Sequence, residues 1–212
     1  MKFLNITLFN SLMIFLLTVS LFALSAPSFT QDYKVKKVGK AFSHPWGISV
    51  FDNDEVLITE RGGHLFKVNI ENGSTIKISN LPEVFNVRQG GLLDVLVDRE
   101  SVSERNVYIC YSSKVAGGSS TTLMAGTLKE DKLISKKILF KSNNVSESGV
   151  HFGCRLAILN DEIFMSIGDR GNRYEAQDAN SHAGSVIRVN KYDGSTREQK
   201  AYNSWPAEVY TC

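Results

Sequence analysis

Gly47-Ile48-Ser49-Val50-Phe51-Asp52-Asn53-Asp54-Glu55-Val56-Leu57-Ile58-Thr59-Glu60-Arg61-Gly62-Gly63-His64-Leu65-Phe66-Lys67-Val68-Asn69-Ile70-Glu71-Asn72-Gly73 is the stretch that decides the fold. Three short runs rich in β-branched and aromatic residues are separated by Asp-Asn-Asp, Arg-Gly-Gly and Glu-Asn-Gly. Such clusters supply the side-chain caps and left-handed conformations that tight turns need, so adjacent strands must run antiparallel. Ser74 to Ser79 alternates as a fourth strand. The unit is a four-stranded meander.

Upstream, His44-Pro45-Trp46-Gly47 reads as a turn with an aromatic anchor, and Tyr33 to Lys40 alternates weakly enough to suggest one more strand. Downstream the meander recurs. Gly91 to Val97 opens a second set, completed by Asn106–Tyr111, Thr121–Leu128 and Leu133–Phe140. Gly153 to Leu159 opens a third, followed by Ile163–Ile167 and Ser185–Val189. The openings at Gly47, Gly91 and Gly153 lie 91 − 47 = 44 and 153 − 91 = 62 residues apart. The first spacing is that of one propeller blade, about 40–50 residues, and the second is a blade with an insertion. Helix-period segments are almost absent. The pattern predicts an all-β chain of about three propeller blades, with a β-sandwich as the competing arrangement. Closed propellers have about 4–8 blades. Residues 27–212 therefore read as the N-terminal part of a longer propeller domain. Such a part, with unpaired flanks, is expected to aggregate or fold poorly when isolated.

The first 26 residues stand apart. Met1-Lys2 is a short positive start, the segment from Ser11 is almost wholly apolar, and Ala23-Leu24-Ser25-Ala26 ends it in small residues. This is the pattern of a secretory signal, with a retained membrane anchor as the rival. No membrane span is expected after cleavage, and the expected location is the periplasm or the exterior.

The 212 residues carry a formal net charge of +2, with 42% hydrophobic and 22% charged residues. That balance fits a globular chain and gives no electrostatic reason to expect nucleic acid. Three cysteines, Cys110, Cys154 and Cys212, cannot all pair within one chain and show no CxxC spacing. Cys110, in an apolar run, reads as a small buried residue. Asn-x-Ser/Thr sequences occur at Asn5, Asn72 and Asn144.

Candidate chemistry sits in three loops: Arg88-Gln89-Gly90-Gly91, Val150-His151-Phe152-Gly153 and Gly168-Asp169-Arg170-Gly171-Asn172-Arg173. Gln89 and His151 each precede the opening strand of a blade. Equivalent positions in successive blades converge on one mouth, so these two side chains are predicted to meet there. An imidazole exchanges protons near neutral pH, which suits a general base. The plainer readings are a solvated or capping histidine, a turn-bonding Gln89 and a turn-forming Asp169. Arg170 and Arg173 read as surface cations or as partners of Glu175 and Asp178. Cys154, three residues after His151, also fits a Cys/His hydrolase pattern, but no third orienting group accompanies it. His44, His64 and His182 read as structural.

The ordered series Pro45-Trp46-Gly47, Thr59-Glu60-Arg61-Gly62-Gly63, Gln89-Gly90-Gly91-Leu92-Leu93-Asp94-Val95, His151-Phe152-Gly153-Cys154-Arg155-Leu156, Gly168-Asp169-Arg170-Gly171 and Ala176-Gln177-Asp178 resembles the soluble glucose/sorbosone dehydrogenase family. That family includes aldose sugar dehydrogenases that use pyrroloquinoline quinone (PQQ). The resemblance implies a six-bladed propeller in the full-length protein. It implies that His151 is the base on the sugar C1 hydroxyl, that hydride then passes to the quinone to leave a lactone, and that Gln89 lies beside the cofactor. It also implies Ca2+ as a Lewis acid and an electron acceptor of unstated identity. Position 154 is usually glycine in this motif. The family's next motif, a Gly-His-Arg-Asn run with a cofactor-contacting arginine, would follow Cys212, as would the calcium ligands. On that reading these 212 residues hold no complete PQQ site, and the activity belongs to a full-length parent. The runner-up is a non-enzymatic extracellular propeller that binds a glycan or protein partner.

Overall fold

A computed structural model describes residues 33–100, 105–196 and the strand 209–211. The segment 1–26 lies outside the described residues. The chain divides into two units, 1–37 and 38–212. In the first, the described residues 33–37 form no strand or helix.

The second unit contains three four-stranded antiparallel sheets, each in plain sequence order. The first comprises β1 (Pro45–Val50), β2 (Glu55–Glu60), β3 (His64–Asn69) and β4 (Thr75–Ile78). The second comprises β5 (Leu92–Val97), β6 (Arg105–Val115), β7 (Gly118–Lys129) and β8 (Lys132–Lys141). The third comprises β9 (Gly153–Leu159), β10 (Glu162–Ile167), β11 (Val186–Asn190) and β12 (Val209–Thr211). The turns fall where the sequence placed them. Asp52 Oδ1, for example, accepts the amides of Asp54 and Glu55 and closes the β1–β2 turn. The first strand of each sheet packs beside the first strand of the next, β1 by β5 and β5 by β9. The architecture is three blades of a β-propeller.

The middle blade is buried on both faces, and the period-2 alternation of its strands shows how. In β6, Val107, Ile109 and Tyr111 pack with Leu57, Leu65 and Ile78 of the first blade. Tyr108 and Cys110, between them in sequence, pack with Leu156, Ile163, Met165 and Ile187 of the third. In β5 a register irregularity between Leu92 and Val95 sends Leu92, Val95 and Val97 to one side and Leu93 to the other. Gly91-Leu92-Leu93-Asp94-Val95-Leu96-Val97 is accordingly an almost continuous apolar run.

The inner strands approach closely. A Cβ on Gly47 would lie 2.7 Å from Asp94 Oδ1 and 2.9 Å from the Leu93 carbonyl, so only glycine fits. The Gly47 amide donates to Thr59 Oγ1 at 2.8 Å, and that hydroxyl donates onward to the Leu93 carbonyl. Asp94 performs the same service between the second and third blades. Its buried carboxylate accepts from the Leu156 amide at 2.9 Å and from Arg155 Nη1 at 3.0 Å. Burial raises its pKa against the opposing pull of that amide and guanidinium.

The strand suggested at Tyr33–Lys40 does not form. Gly39 turns to φ 66° and packs on Gly73 in the β3–β4 turn, which ends any extended run there. Asn144 is buried, with its amide donating to the Gly168 carbonyl at 3.5 Å, whereas Asn72 lies in an exposed turn.

Candidate active site

Antiparallel order puts the start of β1, β5 and β9 and the end of β2 and β10 at one end of the blades. The three loops singled out from the sequence all open there. Gln89 and His151, 62 residues apart, are in direct contact: the His151 amide donates to Gln89 Oε1 at 2.8 Å. The Gln89 amide donates in turn to the Gly149 carbonyl at 2.9 Å, so each loop holds the other.

The loop after β10 supplies the third group. Asp169 Oδ1 lies 2.7 Å from His151 Nδ1 and also accepts the Gly171 amide at 2.9 Å. Asp169 therefore forms its turn and orients the imidazole with the same oxygen. The Gly171 amide, and then the His151 ring, hold its carboxyl below the ordinary aspartate range. A carboxylate beside Nδ1 fixes the tautomer with the proton on Nδ1, which leaves Nε2 as the basic nitrogen. The imidazole is 55% exposed and so remains open to a ligand.

Arg170 is not a surface cation. It is buried and pairs with no carboxylate among the described residues. Its Nε donates to the Val150 carbonyl at 2.9 Å, Nη1 to the Ser119 carbonyl at 3.1 Å and Nη2 to Ser119 Oγ at 2.9 Å. The guanidinium carbon stacks 3.7 Å from the Phe152 ring centre. Burial pulls its pKa down to about 10, so it stays charged at neutral pH. This side chain pins the His151 loop to β7 of the middle blade. Cys110 is also more than a buried residue, because it forms a disulfide with Cys154.

A cavity of about 230 Å³ opens beside these groups, lined by Trp46, Arg61, Gln89, Leu93, His151, Phe152 and Gly153. Arg155 lies over the Trp46 ring at 4.6 Å while bonded to Asp94, which holds the indole at the wall. Arg61 Nε is buried and has no hydrogen-bond partner among the described residues. The cavity thus offers an aromatic face, an amide, a basic nitrogen and an arginine. That donor set fits a planar anionic ligand. Trp46 and Arg61 belong to motifs quoted above, but nothing local in the sequence aimed them at this cavity.

Of the remaining histidines, His44 is exposed with its ring beside Ser43 Oγ, and His64 and His182 are tied to structure. His64 Nδ1 lies 3.0 Å from Glu60 Oε2, and His182 Nδ1 accepts the Asn143 amide at 3.0 Å. Among the described residues no group of three or more His, Cys, Asp or Glu side chains is placed to hold a metal ion. No helix among them is long and apolar enough to cross a membrane.

Three neighbouring blades with a histidine–aspartate pair at their mouth define the class as a propeller with a polar end-cavity. The family model described as Glucose / Sorbosone dehydrogenase matches residues 42–212, and the chain belongs to that family. The chain is 31% identical over 151 residues to the aldose sugar dehydrogenase YliI of Escherichia coli K12, covering 69% of this chain and 41% of that protein. The crystal structure of the apo-form of the soluble aldose sugar dehydrogenase from E. coli superposes with a TM-score of 0.72 at 28% identity, over 79% of this chain and 50% of that one. The PQQ-bound aldose sugar dehydrogenase of Streptomyces coelicolor superposes with a TM-score of 0.69 at 20% identity, over 82% and 52%. The chain spans about half the length of the relatives it matches.

Proposed function

We propose that this chain is part of a PQQ-dependent oxidoreductase that oxidises the C1 hydroxyl of aldose sugars to lactones. The observation that carries the reading is the cavity shared by Gln89 and His151, with Asp169 behind the imidazole. Family membership and the likeness to aldose sugar dehydrogenases support the substrate class. The S. coelicolor structure supports the cofactor through the shared fold.

His151 takes the proton from the sugar hydroxyl at Nε2. Asp169 stabilises the imidazolium that results, because its carboxylate already faces Nδ1. Negative charge growing on the sugar oxygen makes hydride departure from C1 easier. PQQ, when bound, supplies the quinone that accepts that hydride. Trp46 offers a flat apolar wall to a ring, Gln89 keeps its side-chain NH2 available beyond its bond to the His151 amide, and Arg61 offers charge to a carboxylate. Calcium enters the proposal through ligands outside the described residues. The location we propose is the periplasm or the exterior. The N-terminal signal pattern favours it, and so does a disulfide, a bond that persists in oxidising compartments.

The test is dye-linked turnover. Full-length protein reconstituted with PQQ and Ca2+ is expected to reduce an artificial dye when given an aldose, and failure to do so removes the proposal. Arg61 gives a separate binding test. Arg61→Gln is expected to weaken PQQ binding about tenfold or more, the worth of one charge-assisted hydrogen bond. Titration calorimetry with PQQ alone checks this, and unchanged affinity would exclude Arg61 as an anchor.

A further inference from the structure

We propose that the Cys110–Cys154 disulfide is a further positioning device of His151, beside Asp169 and Arg170, so that the oxidised protein and not the dithiol holds the imidazole in working geometry. The inference rests on the reading of His151 as the base.

Cys154 follows His151 by three residues and has φ 83°, a left-handed conformation that a side chain disfavours. It is not alone there. His151 has φ 50° and Gly153 φ 72°, so three residues within four positions turn the same unusual way. The strand ladder does not hold Cys154 either. Between β9 and β10 the register runs from Leu156–Met165 to Gly153–Ile167, which sets Cys154 and Arg155 against Ser166 alone. Cys154 thus sits in a β-bulge, the device by which a strand re-aims what precedes it. What precedes it is the imidazole.

The bulge is fixed from the neighbouring blade. Cys110 lies in the middle of β6, paired with Leu123 of β7, and both cysteines are fully buried. Their Cα atoms are 5.6 Å apart across the blade boundary. Other holds on this loop are polar contacts: the His151 amide donates to Gln89 Oε1, the Arg170 amide to the His151 carbonyl, Arg170 Nε to the Val150 carbonyl and Thr121 Oγ1 to the Phe152 carbonyl at 3.2 Å, while Asp169 faces the ring. They grip Val150 to Phe152. Within the bulge the Arg155 amide donates to Ser166 Oγ at 3.0 Å, and the disulfide grips Cys154 from the neighbouring blade. A glycine at 154 would adopt φ 83° unaided, whereas a cysteine there is held by its bond. The two forms differ by two electrons and two protons, one of each per sulfur when the S–S bond is opened to thiols.

The test compares full-length protein with its Cys110→Ser variant and the double variant Cys110→Ser/Cys154→Gly. Amide exchange of residues 150–156 is expected to rise about tenfold in Cys110→Ser. kcat for dye reduction is expected to fall about tenfold to a hundredfold, with PQQ affinity held. The double variant is expected to recover both slow exchange and kcat, because glycine relieves the backbone. Should Cys110→Ser fail to fold, the dithiol form made in a reducing cytoplasm takes its place. Unchanged exchange in that protein, or a double variant no better than the single one, would overturn the proposal. Exchange needs no cofactor, so absent dye reduction would sink the proposed function without touching this result.

Discussion

His151→Ala is expected to lower kcat by about 10²–10⁴-fold, the usual worth of a general base, while PQQ binding stays largely intact. The separation follows from the geometry. The backbone amide of His151, not its ring, contacts Gln89, so the Gln89 side of the cavity survives loss of the imidazole. Arg61 and Trp46 belong to another blade and are likewise unaffected. Asp169→Asn is expected to act through the ring instead. It keeps an acceptor for the Gly171 amide but loses the charge that stabilises the protonated imidazole, which predicts a fall of about 10–100-fold. The pH dependence has a definite sign. The Asp169 carboxyl is held below its ordinary range, so its stabilising contacts are complete above the unfolded carboxylate pKa and are lost as pH falls through the lowered folded value. Asp169→Asn should therefore flatten the acid side of the stability profile. Steady-state kinetics with calorimetric PQQ titration check the first claim, and acid melts of both proteins check the last. If His151→Ala turned over at a wild-type rate, the base would have to be another group.

The blades were readable because turn chemistry is local. Asp52-Asn53-Asp54 closes its turn with its own side chain, and a sequence displays that directly. Gln89 and His151 were readable for a different reason: equivalent positions in repeated units meet at one mouth, whatever their distance along the chain. What crosses between blades left no such mark. Asp169 was legible as a turn former, and it is one, but its second role needs the His151 loop to be in place. The odd cysteine count hid the Cys110–Cys154 pair, since no spacing says which two of three will meet. Arg170 misled most. An arginine between an aspartate and a glycine in a polar loop looks solvated. It is buried because the carbonyls that receive it, Ser119 and Val150, come from β7 and from the loop before β9.

That burial makes Arg170→Ala the substitution with the largest expected effect on stability, about 3 kcal/mol. The guanidinium spends its donors on the Val150 and Ser119 carbonyls, Ser119 Oγ and, at 3.4 Å, the Ser146 carbonyl. Truncation leaves these acceptors desolvated and empties the space against Phe152. The damage should reach the site, because the Arg170 amide donates to the His151 carbonyl and Ser148 Oγ donates to the Arg170 carbonyl. Arg170→Lys separates charge from geometry. A lysine keeps the cation but has one nitrogen, which cannot serve Val150 and both Ser119 acceptors from a planar fork, so it is expected to recover less than half of the loss. Urea denaturation of full-length protein and both variants decides it. If Arg170→Lys melts with the wild type, the charge alone matters; if Arg170→Ala does too, the loop carrying His151 is held without Arg170.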